Sequence, residues 1–275
     1  MAGRLILCAT PIGNLGDVSN RLVEVLEAAD HIYAEDTRRT GQLLNHLGIS
    51  KPMTSFFAGN EKARLEGLAR RLSDGEVVCL VTDAGVPVVS DPGSTAVGAA
   101  IDAGADVTAV PGPSAVTTAL AVSGFEGDRF CFEGFLPRKG AERASAVERI
   151  AGEERTVVLF AAPSRVGKDL TDLAAPAPDR RVVVARELTK LHEEVWRGTV
   201  RDAAAEFGDP SRARGEFTIV VEGETPEVPS MEEAMGDALG LIAEGATTSD
   251  AVRRVAERRG VSRRRLYERV LREKP

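Results

Sequence analysis

The chain of 275 residues contains little that would support a metal centre, a disulfide or a membrane anchor. Its three cysteines, Cys8, Cys79 and Cys131, lie far apart inside apolar runs, with neither a CxxC spacing nor a nearby pair of histidines. We therefore expect them to be small core residues. No apolar run reaches the roughly 18 residues of a membrane-spanning helix, and residues 5–9 enter a strand-like run without a charged leader. These absences predict a cytoplasmic protein with no metal and no membrane partner.

The composition and the order of apolar segments predict two α/β domains and a helical tail. With 43% hydrophobic residues, the chain can bury two cores. Strands and helices alternate in residues 1–114, which indicates a mostly parallel sheet. Strands in residues 115–225 are less regularly spaced, and residues 187–194 are too few for a normal helix between two of them, so a mixed sheet is expected. Residues 222–229 form a polar linker, and residues 230–275 predict three short helices.

The individual elements follow from apolar periodicity and from the turn residues between them. The expected strands are residues 5–10, 31–34, 52–56, 76–81, 106–110, 130–132, 157–161, 182–185, 195–197 and 217–221. The expected helices are residues 18–29, 40–47, 61–72, 95–103, 115–123, 231–243, 249–258 and 262–272. Gly48 is expected to end the second helix.

The most informative stretch runs from Cys79 to Gly93, where an apolar strand leads into a loop rich in Gly, Pro and Asp. Open α/β sheets bind ligands at such strand ends. Glycines and prolines fix the shape of the loop, and Asp83, Ser90 and Asp91 offer acceptors. The loop has no Lys or Arg, which argues against a phosphate cradle and favours a neutral or cationic ligand with hydroxyls and an amine. The alternative is a pair of ordinary turns with an N-cap at Ser90 or Asp91.

Three more loops follow predicted strands, at residues 10–14, 35–38 and 111–114. The carboxyl ends of parallel strands share one edge of the sheet, so we expect all four loops to meet there. The glycines after the first strand lack the G-x-G-x-x-G spacing of dinucleotide sites, which makes a nicotinamide enzyme the weaker hypothesis. Two prolines exclude regular structure at residues 111–113, and Ser114 is expected to cap the following helix.

The charge is distributed unevenly. The chain carries −7 overall, but residues 251–275 carry nine Arg and one Lys against three Glu, a net of +7 that leaves −14 on the remainder. A basic segment of this density predicts a polyanionic partner, RNA or DNA, although a solvated helix face is the alternative. A pattern close to helix-turn-helix places Arg263, Arg264 and Arg265 on the second basic helix, where they would contact phosphates without reading sequence.

Seven ordered motifs resemble the ribosomal RNA small subunit methyltransferase I family of the tetrapyrrole methylase-like superfamily. The motifs are TPIGNLGD at residues 10–17, AEDTR at 34–38, DAGVP at 83–87, SDPG at 90–93, PGPS at 111–114, EGFLP at 133–137 and RELTK at 186–190. The resemblance implies a class III methyltransferase fold, with S-adenosylmethionine bound in the cleft between two α/β domains. It also implies 2′-O-methylation of a cytidine, cytidine 1402, in the decoding region of 16S ribosomal RNA within the small subunit, and a homodimer.

The resemblance also assigns residues to the site. The implied cofactor residues are Pro11, Gly13, Asp83, Ala84, Gly85, Val86, Pro87, Ser90, Asp91, Pro111, Gly112, Pro113 and Ser114, the last offering its hydroxyl and backbone donors to the methionine carboxylate. Candidates for removing the 2′-hydroxyl proton are Glu35, Asp36, Glu133, Glu187 and Lys190, and the sequence does not choose among them. Arg38, Arg186 and Lys190 are expected to bind RNA phosphates or, alternatively, to pair with Glu35 or Glu187.

One segment departs from the family pattern. Residues 161–165 read Ala-Ala-Pro-Ser-Arg, whereas the family reads close to Glu-Ser-Pro-His-Arg. We therefore expect no dependence of the reaction on the missing acidic and histidine side chains. Two other functions remain open: a tetrapyrrole C-methyltransferase, which would share fold and cofactor but has no need of a basic tail, and a noncatalytic RNA-binding protein, which could lose the cofactor loop.

Overall fold

A computed structural model describes residues 3–225 and 230–273. The chain divides into two compact units, Met1–Glu224 and Thr225–Pro275, which we describe separately. Among the described residues, the first unit contains two five-stranded sheets, and the second contains three helices. These elements confirm the predicted parallel sheet, mixed sheet and helical tail. The proposed domain boundaries at residues 114 and 225 stay predictions, and residues 226–229 of the predicted linker lie outside the described residues.

The first sheet is parallel throughout, in the order β3-β2-β4-β1-β5. Its strands are β1 (Arg4–Cys8), β2 (His31–Ala34), β3 (Met53–Ser55), β4 (Val77–Val81) and β5 (Asp106–Val110). Between them lie a short 3₁₀ turn (Leu15–Asp17) and the helices α1 (Asn20–Ala28), α2 (Thr37–Leu47), α3 (Glu61–Ser73) and α4 (Ser94–Asp102).

Both faces of this sheet are covered, which explains its nearly continuous apolar strands. Leu22 of α1 and Leu44 of α2 pack on one face, and Leu68 of α3 and Ala96 of α4 pack on the other. The chain therefore leaves β1 toward one face and the neighbouring β4 toward the opposite face. Such a divergence opens a crevice at the carboxyl edge of the sheet.

The second sheet has the order β6-β7-β10-β8-β9, with β6 parallel to β7 and all other neighbours antiparallel. Its strands are β6 (Phe130–Phe135), β7 (Thr156–Ala161), β8 (Arg181–Arg186), β9 (Glu194–Thr199) and β10 (Phe217–Val221). The accompanying helices are α5 (Ala115–Ser123), α6 (Gly140–Ala151), α7 (Val166–Ala174) and α8 (Val200–Phe207).

The two faces of the second sheet have different neighbours. Helices α6, α7 and α8 cover one face, and α5 packs against β7 and β10 on the other. Ile12 and Ala84, from the loops after β1 and β4, join the apolar cluster on the α5 face. The carboxyl edge of the first sheet therefore faces the second sheet across a cleft.

Several elements differ from the sequence-based expectation. Helices α6, α7 and α8 were not predicted. Helix α2 begins at Thr37 rather than at residue 40, because the Asp36 carboxylate accepts the backbone N–H of Arg38 at 2.8 Å and caps the helix. Strand β6 continues to Phe135 across an irregularity at which Gly134 adopts a φ of +62°.

The second unit consists of α9 (Met231–Ala243), α10 (Thr248–Arg259) and α11 (Arg263–Glu273). Ala234, Val252, Val255, Leu266 and Val270 form its core. No helix within residues 3–225 and 230–273 is long and apolar enough to cross a membrane.

Candidate functional site

Backbone hydrogen bonds join the loops that follow β1 and β4. Thr10 and Gly85 exchange two bonds, of 2.9 and 3.1 Å, and the Thr10 hydroxyl donates to the Thr82 carbonyl at 3.3 Å. Gly85 has a φ of +79°, which favours glycine. The backbone at Gly112, in the loop after β5, lies against Ala9 so closely that a side chain would crowd it. The predicted meeting of these strand-end loops is confirmed.

The loops after β2 and β4 are joined through carboxylates. Glu35 accepts the backbone N–H of Asp83 at 3.1 Å, and Asp83 accepts the backbone N–H of Asp36 at 3.1 Å. The second oxygen of Asp83 lies 3.4 Å from the Arg39 guanidinium. Because both carboxylates bond to backbone, they fix loop geometry.

Backbone strain is concentrated at this cleft. Four non-glycine residues among those described have positive φ: Val88 at +79°, Ser90 at +64°, Glu187 at +51° and Thr189 at +67°. All four lie in the loop after β4 or the loop after β8. Such conformations cost about 1–3 kcal/mol each and cluster at functional sites.

A cavity of about 330 Å³ lies in the cleft, within the size range of small-molecule sites. Six predicted cofactor residues line it: Ala84, Gly85, Val86, Ser90, Asp91 and Ser114. The sequence reasoning missed the rest of the lining, which is mostly apolar: Ile12, Val89, Ala115, Val116, Phe135, Phe160, Ala161, Ala162, Pro163, Glu216, Phe217 and Thr218. Phe135 is the last residue of β6 and Phe160 the last but one of β7, and this position near a strand end is a signal that could have found them.

Asp91 lines the cavity and has a pKa that differs from the ordinary value of an aspartate. Burial, followed by the negative charges of Glu35 and Asp83, raises the pKa of Asp91 to about 6, although the nearby Thr82 hydroxyl acts in the opposite direction. The carboxyl therefore exchanges its proton close to neutral pH. A cation placed beside it would favour the ionised form.

Lys190, Glu187 and Glu216 form a charged cluster at the edge of the cavity. The Lys190 ammonium lies 2.8 Å from Glu187 and 3.0 Å from Glu216, and its stem packs over Gly13. Burial lowers the pKa of Lys190, but the two carboxylates outweigh it and hold that pKa above its ordinary value. Burial likewise raises the pKa of Glu187, but hydrogen bonds from Lys190 and the Glu216 backbone outweigh it and lower the pKa. Both groups are thus held in their charged forms.

Two other predicted base candidates are paired with arginines outside the cavity lining. Asp36 forms a two-pronged pair with Arg38, whose hydrogen bonds hold the pKa of that carboxyl well below its usual range. Glu133 pairs with Arg149 of α6 at 2.6 Å. Because side chains alternate along β6 and Phe132 packs on the α5 face, Glu133 faces the opposite way.

The remaining predicted cofactor residues surround the cavity without lining it. Pro11 and Asp83 line a neighbouring cavity of about 200 Å³, and Gly13 lies beneath Lys190. The others shape the turns after β4 and β5: Pro87, Pro111, Gly112 and Pro113. Ser114 takes the N-cap position of α5, but its side chain makes no capping hydrogen bond, contrary to expectation. Its hydroxyl therefore remains available to the cavity.

The predicted RNA-binding arginines fall into two groups. Arg38 is exposed, whereas Arg186 is mostly buried and pairs with Glu194 at 2.8 Å. The alternative expectation for Arg186 was also an ion pair, but with Glu35 or Glu187. The other group is exposed on α11 in the second unit: Arg263, Arg264 and Arg265. Of these, Arg264 pairs with Glu268 at 3.1 Å.

Comparison with known proteins shows the class to which this fold belongs. Residues 4–204 match the family model of the Tetrapyrrole (Corrin/Porphyrin) Methylases. A solved cobalt precorrin-4 methyltransferase superimposes with a TM-score of 0.60 at 19% identity, covering 80% of this chain and 94% of that chain. At this identity the superposition supports the fold alone.

Relatives with high sequence identity show to which group within this family the chain belongs. A protein of Synechocystis named ribosomal RNA small subunit methyltransferase I is 46% identical over 97% of this chain and 96% of its own length. A protein of the same name from Thermotoga maritima is 46% identical over 80% of this chain and 99% of its own length. The chain belongs to the tetrapyrrole methylase family and, within it, to the ribosomal RNA small subunit methyltransferase I group. The predicted methyltransferase and the resemblance of the motifs are confirmed.

Proposed function

We propose that the chain uses S-adenosylmethionine to methylate ribosomal RNA, at the 2′-oxygen of a cytidine in the decoding region of 16S ribosomal RNA, cytidine 1402. The observation that supports this most directly is the cavity between the two sheets, which combines an apolar surface with Asp91, Ser114 and free loop backbone. The names of the relatives support the RNA substrate. Assembled small subunits would then be the partner, and the protein would work in the cytoplasm as a homodimer.

The chemistry of the cavity fits the proposed cofactor. S-adenosylmethionine supplies, when bound, a methyl group activated by a positively charged sulfur. Ser114 and the first backbone N–H groups of α5 would bind the carboxylate, because a helix N-terminus favours an anion. Asp91 would bind positive charge, and Phe135 and Phe160 would contact the adenine. The loop backbone at residues 84–86 would supply the remaining hydrogen bonds.

The reaction requires alignment and one proton transfer. The residues of the chain would have to align the ribose 2′-oxygen with the methyl group that S-adenosylmethionine would supply, and a base would have to take the 2′-proton. Alignment can contribute roughly 7–11 kcal/mol. Lys190 and Glu187 would position the ribose as a charged pair. The pKa of Lys190 is raised and that of Glu187 is lowered, so both groups stay charged and neither is suited to take the proton. Asp36 and Glu133 have less support as bases because arginines pair with both.

The alternative, a tetrapyrrole substrate, is favoured by the shared fold but not by the second unit. Nine arginines in residues 251–275 match a polyanion better than a tetrapyrrole. A noncatalytic RNA-binding role would leave the strained loops and the cavity without a purpose. Methyl transfer to assembled small subunits that lack the modification distinguishes the three. Mass spectrometry should find a cytidine methylated on its ribose, whereas a methylated base, or label only in a tetrapyrrole, would exclude the proposal.

Titration calorimetry with S-adenosylmethionine tests the position of the cofactor site. Asp83→Ala and Gly85→Val should each weaken binding at least tenfold, because one releases the loop and the other forces a β-branched residue to a φ of +79°. Gly104→Val is the matched control, since Gly104 has a φ of +70° with open space around it. If both loop variants fold and bind with unchanged affinity, the cofactor site lies elsewhere.

A further inference from the structure

A second cavity lies next to the proposed cofactor site, on the other side of the loop after β4. It has a volume of about 200 Å³ and is bounded by the loop after β1, the end of β4 and helix α2. The residues that give it its chemistry are Arg39, Thr40, Gln42, Thr82 and Asp83. Its volume is below the roughly 300–1,000 Å³ of sites for drug-sized ligands, which suits a single small ring. We call it the α2 pocket.

The α2 pocket contains a buried hydroxyl without a partner. Thr40 is 3% exposed, and its Oγ1 makes no hydrogen bond. Thr82, at 2% exposure, also makes no hydrogen bond of normal geometry through its Oγ1, although the Asp91 carboxyl is near. A buried hydroxyl left unpaired is destabilising, and rotation of the Thr40 side chain toward the pocket would let a polar atom of a ligand pair with it. The pocket is therefore suited to a polar occupant.

The polar groups around Thr40 match one edge of a pyrimidine. The Asp83 carboxylate can accept from an exocyclic amine, and its outer oxygen has only the 3.4 Å pair with Arg39 to satisfy it. Arg39 and Gln42 on α2 can donate to ring nitrogen and carbonyl acceptors. Cytosine presents this combination of one amine donor and two acceptors, and acidic side chains accept from that amine in nucleic-acid complexes. Uracil has a carbonyl where cytosine has its amine, and two acceptors would then face each other at the Asp83 carboxylate.

The position of the pocket relates it to methyl transfer. Asp83 lines the α2 pocket, whereas the next two residues, Ala84 and Gly85, line the 330 Å³ cavity. The bridge between Thr10 and Gly85 forms the wall between them. A ring held in the α2 pocket would leave its ribose beside that wall. Enzymes that do chemistry on a base extrude it from its stack and hold it in a pocket, and an enzyme that reads the base while it methylates the ribose would need the same access.

We infer that the α2 pocket receives the base of the target nucleotide and selects cytosine over uracil. This inference rests on the proposed function, since it names the subsite that would present the 2′-oxygen. Thr40→Val and Gln42→Leu remove hydrogen-bonding groups with little change of shape. Each should lower kcat/KM on small subunits carrying the target cytidine by about 10- to 100-fold, the range expected for specific base contacts. Thr171→Val, the same change on the exposed surface of α7, is the control.

Two further measurements make the outcome decisive. Subunits with uridine at the target position should be poor substrates for the wild-type enzyme, and the variants should reduce the preference for cytidine while binding S-adenosylmethionine normally. NMR of the protein with cytidine 5′-monophosphate should shift the Thr40 methyl signal more than uridine 5′-monophosphate does. Wild-type methylation combined with unchanged discrimination in both variants would overturn the inference while leaving the proposed function intact. Selective shifts without any methyl transfer would support the pocket and contradict the function.

Discussion

The Glu35 carboxylate accepts the backbone N–H of Asp83 at 3.1 Å and so joins the ends of β2 and β4, which are neighbours in the sheet. The return bond runs from the backbone of Asp36 to the carboxylate of Asp83. The two loops are thus held by a reciprocal pair of bonds, each from a main chain to a charged side chain. Bonds with a charged partner contribute about 1.5–3 kcal/mol, more than neutral ones.

Glu35→Ala should loosen this connection and weaken cofactor binding. The change leaves the Asp83 N–H without its acceptor, so we expect a loss of about 1–2 kcal/mol in the free energy of unfolding. Urea titration measures the stability, and calorimetry measures the affinity for S-adenosylmethionine. Glu35→Gln keeps an oxygen acceptor and should recover most of both. Equal losses in Ala and Gln variants would mean that the charge of Glu35, and not its bond to Asp83, matters.

Asp91→Asn should stabilise the protein at neutral pH while weakening the cofactor complex. The folded state raises the pKa of Asp91 to about 6, so it binds the proton more tightly than the unfolded chain does, and stability falls as pH rises from about 4 through 6. The neutral amide escapes this loss. We expect a gain on the order of 1 kcal/mol at pH 7.5, allowing for partial exposure, and none below pH 4. Thermal unfolding across this pH range measures it.

The affinity for the cofactor should rise with pH over the range in which the stability of the protein falls. In the wild-type protein, binding of a cationic ligand should strengthen as pH rises through about 6 and Asp91 ionises. The Asn variant should bind more weakly and with a flat profile over pH 5–7.5. A pH dependence that persists in the variant would assign the titration to another group.

Lys190→Met should lower turnover at saturating RNA. Removing the ammonium leaves Glu187 and Glu216 as neighbouring carboxylates at the edge of the cavity and withdraws the positive charge that orients them. We expect kcat to fall at least tenfold with a smaller change in KM, measured with assembled subunits. Lys168→Met is the matched control, because that lysine pairs with Asp172 at 2.9 Å on the surface of α7. A rise in KM alone would make Lys190 an RNA-holding residue.

Arg263, Arg264 and Arg265, replaced together by Ala, should weaken binding to the small subunit and flatten its salt dependence. Fewer counterions are released when fewer phosphates are neutralised, and each lost contact reduces the slope of log affinity against log salt by just under 1. Filter binding at several salt concentrations measures this. Cofactor affinity should not change.

The control for the arginine experiment replaces three exposed arginines of the first unit that already pair with carboxylates. They are Arg4, Arg70 and Arg201. This variant loses the same charge but should keep the salt slope. If both triple variants behave alike, the effect is one of net charge, and the basic helix has no special role.

The sequence predicted the first sheet and the meeting of its strand-end loops well because both depend on local patterns. An apolar strand followed by the Asp, Gly and Pro of residues 83–93 specifies a strand end and a shaped loop, and parallel pairing brings such ends together. The second domain was harder. Helix α6 begins at Gly140 after Lys139, with no side-chain cap to mark it.

Two features of the site depend on long-range pairing that no local pattern encodes. Glu216 and Thr218 reach the cavity because β10 runs antiparallel to β7 and its start lies beside the end of that strand. Glu133, in contrast, was selected by its motif although the alternation along β6 directs it toward α6. The side of β6 on which Phe132 lies would have lowered the support for Glu133 as a candidate base.

The position of β10 also dictates the order in which this protein can be assembled. Of the strands in the described residues, β10 comes last along the chain, yet it lies in the middle of the second sheet, between β7 and β8. During synthesis the first sheet has all its strands once Val110 has been made, whereas the pairs β6–β7 and β8–β9 have no common partner until residues 217–221 emerge. A nascent chain therefore carries a finished first sheet for much of its synthesis and acquires its cleft only when β10 inserts.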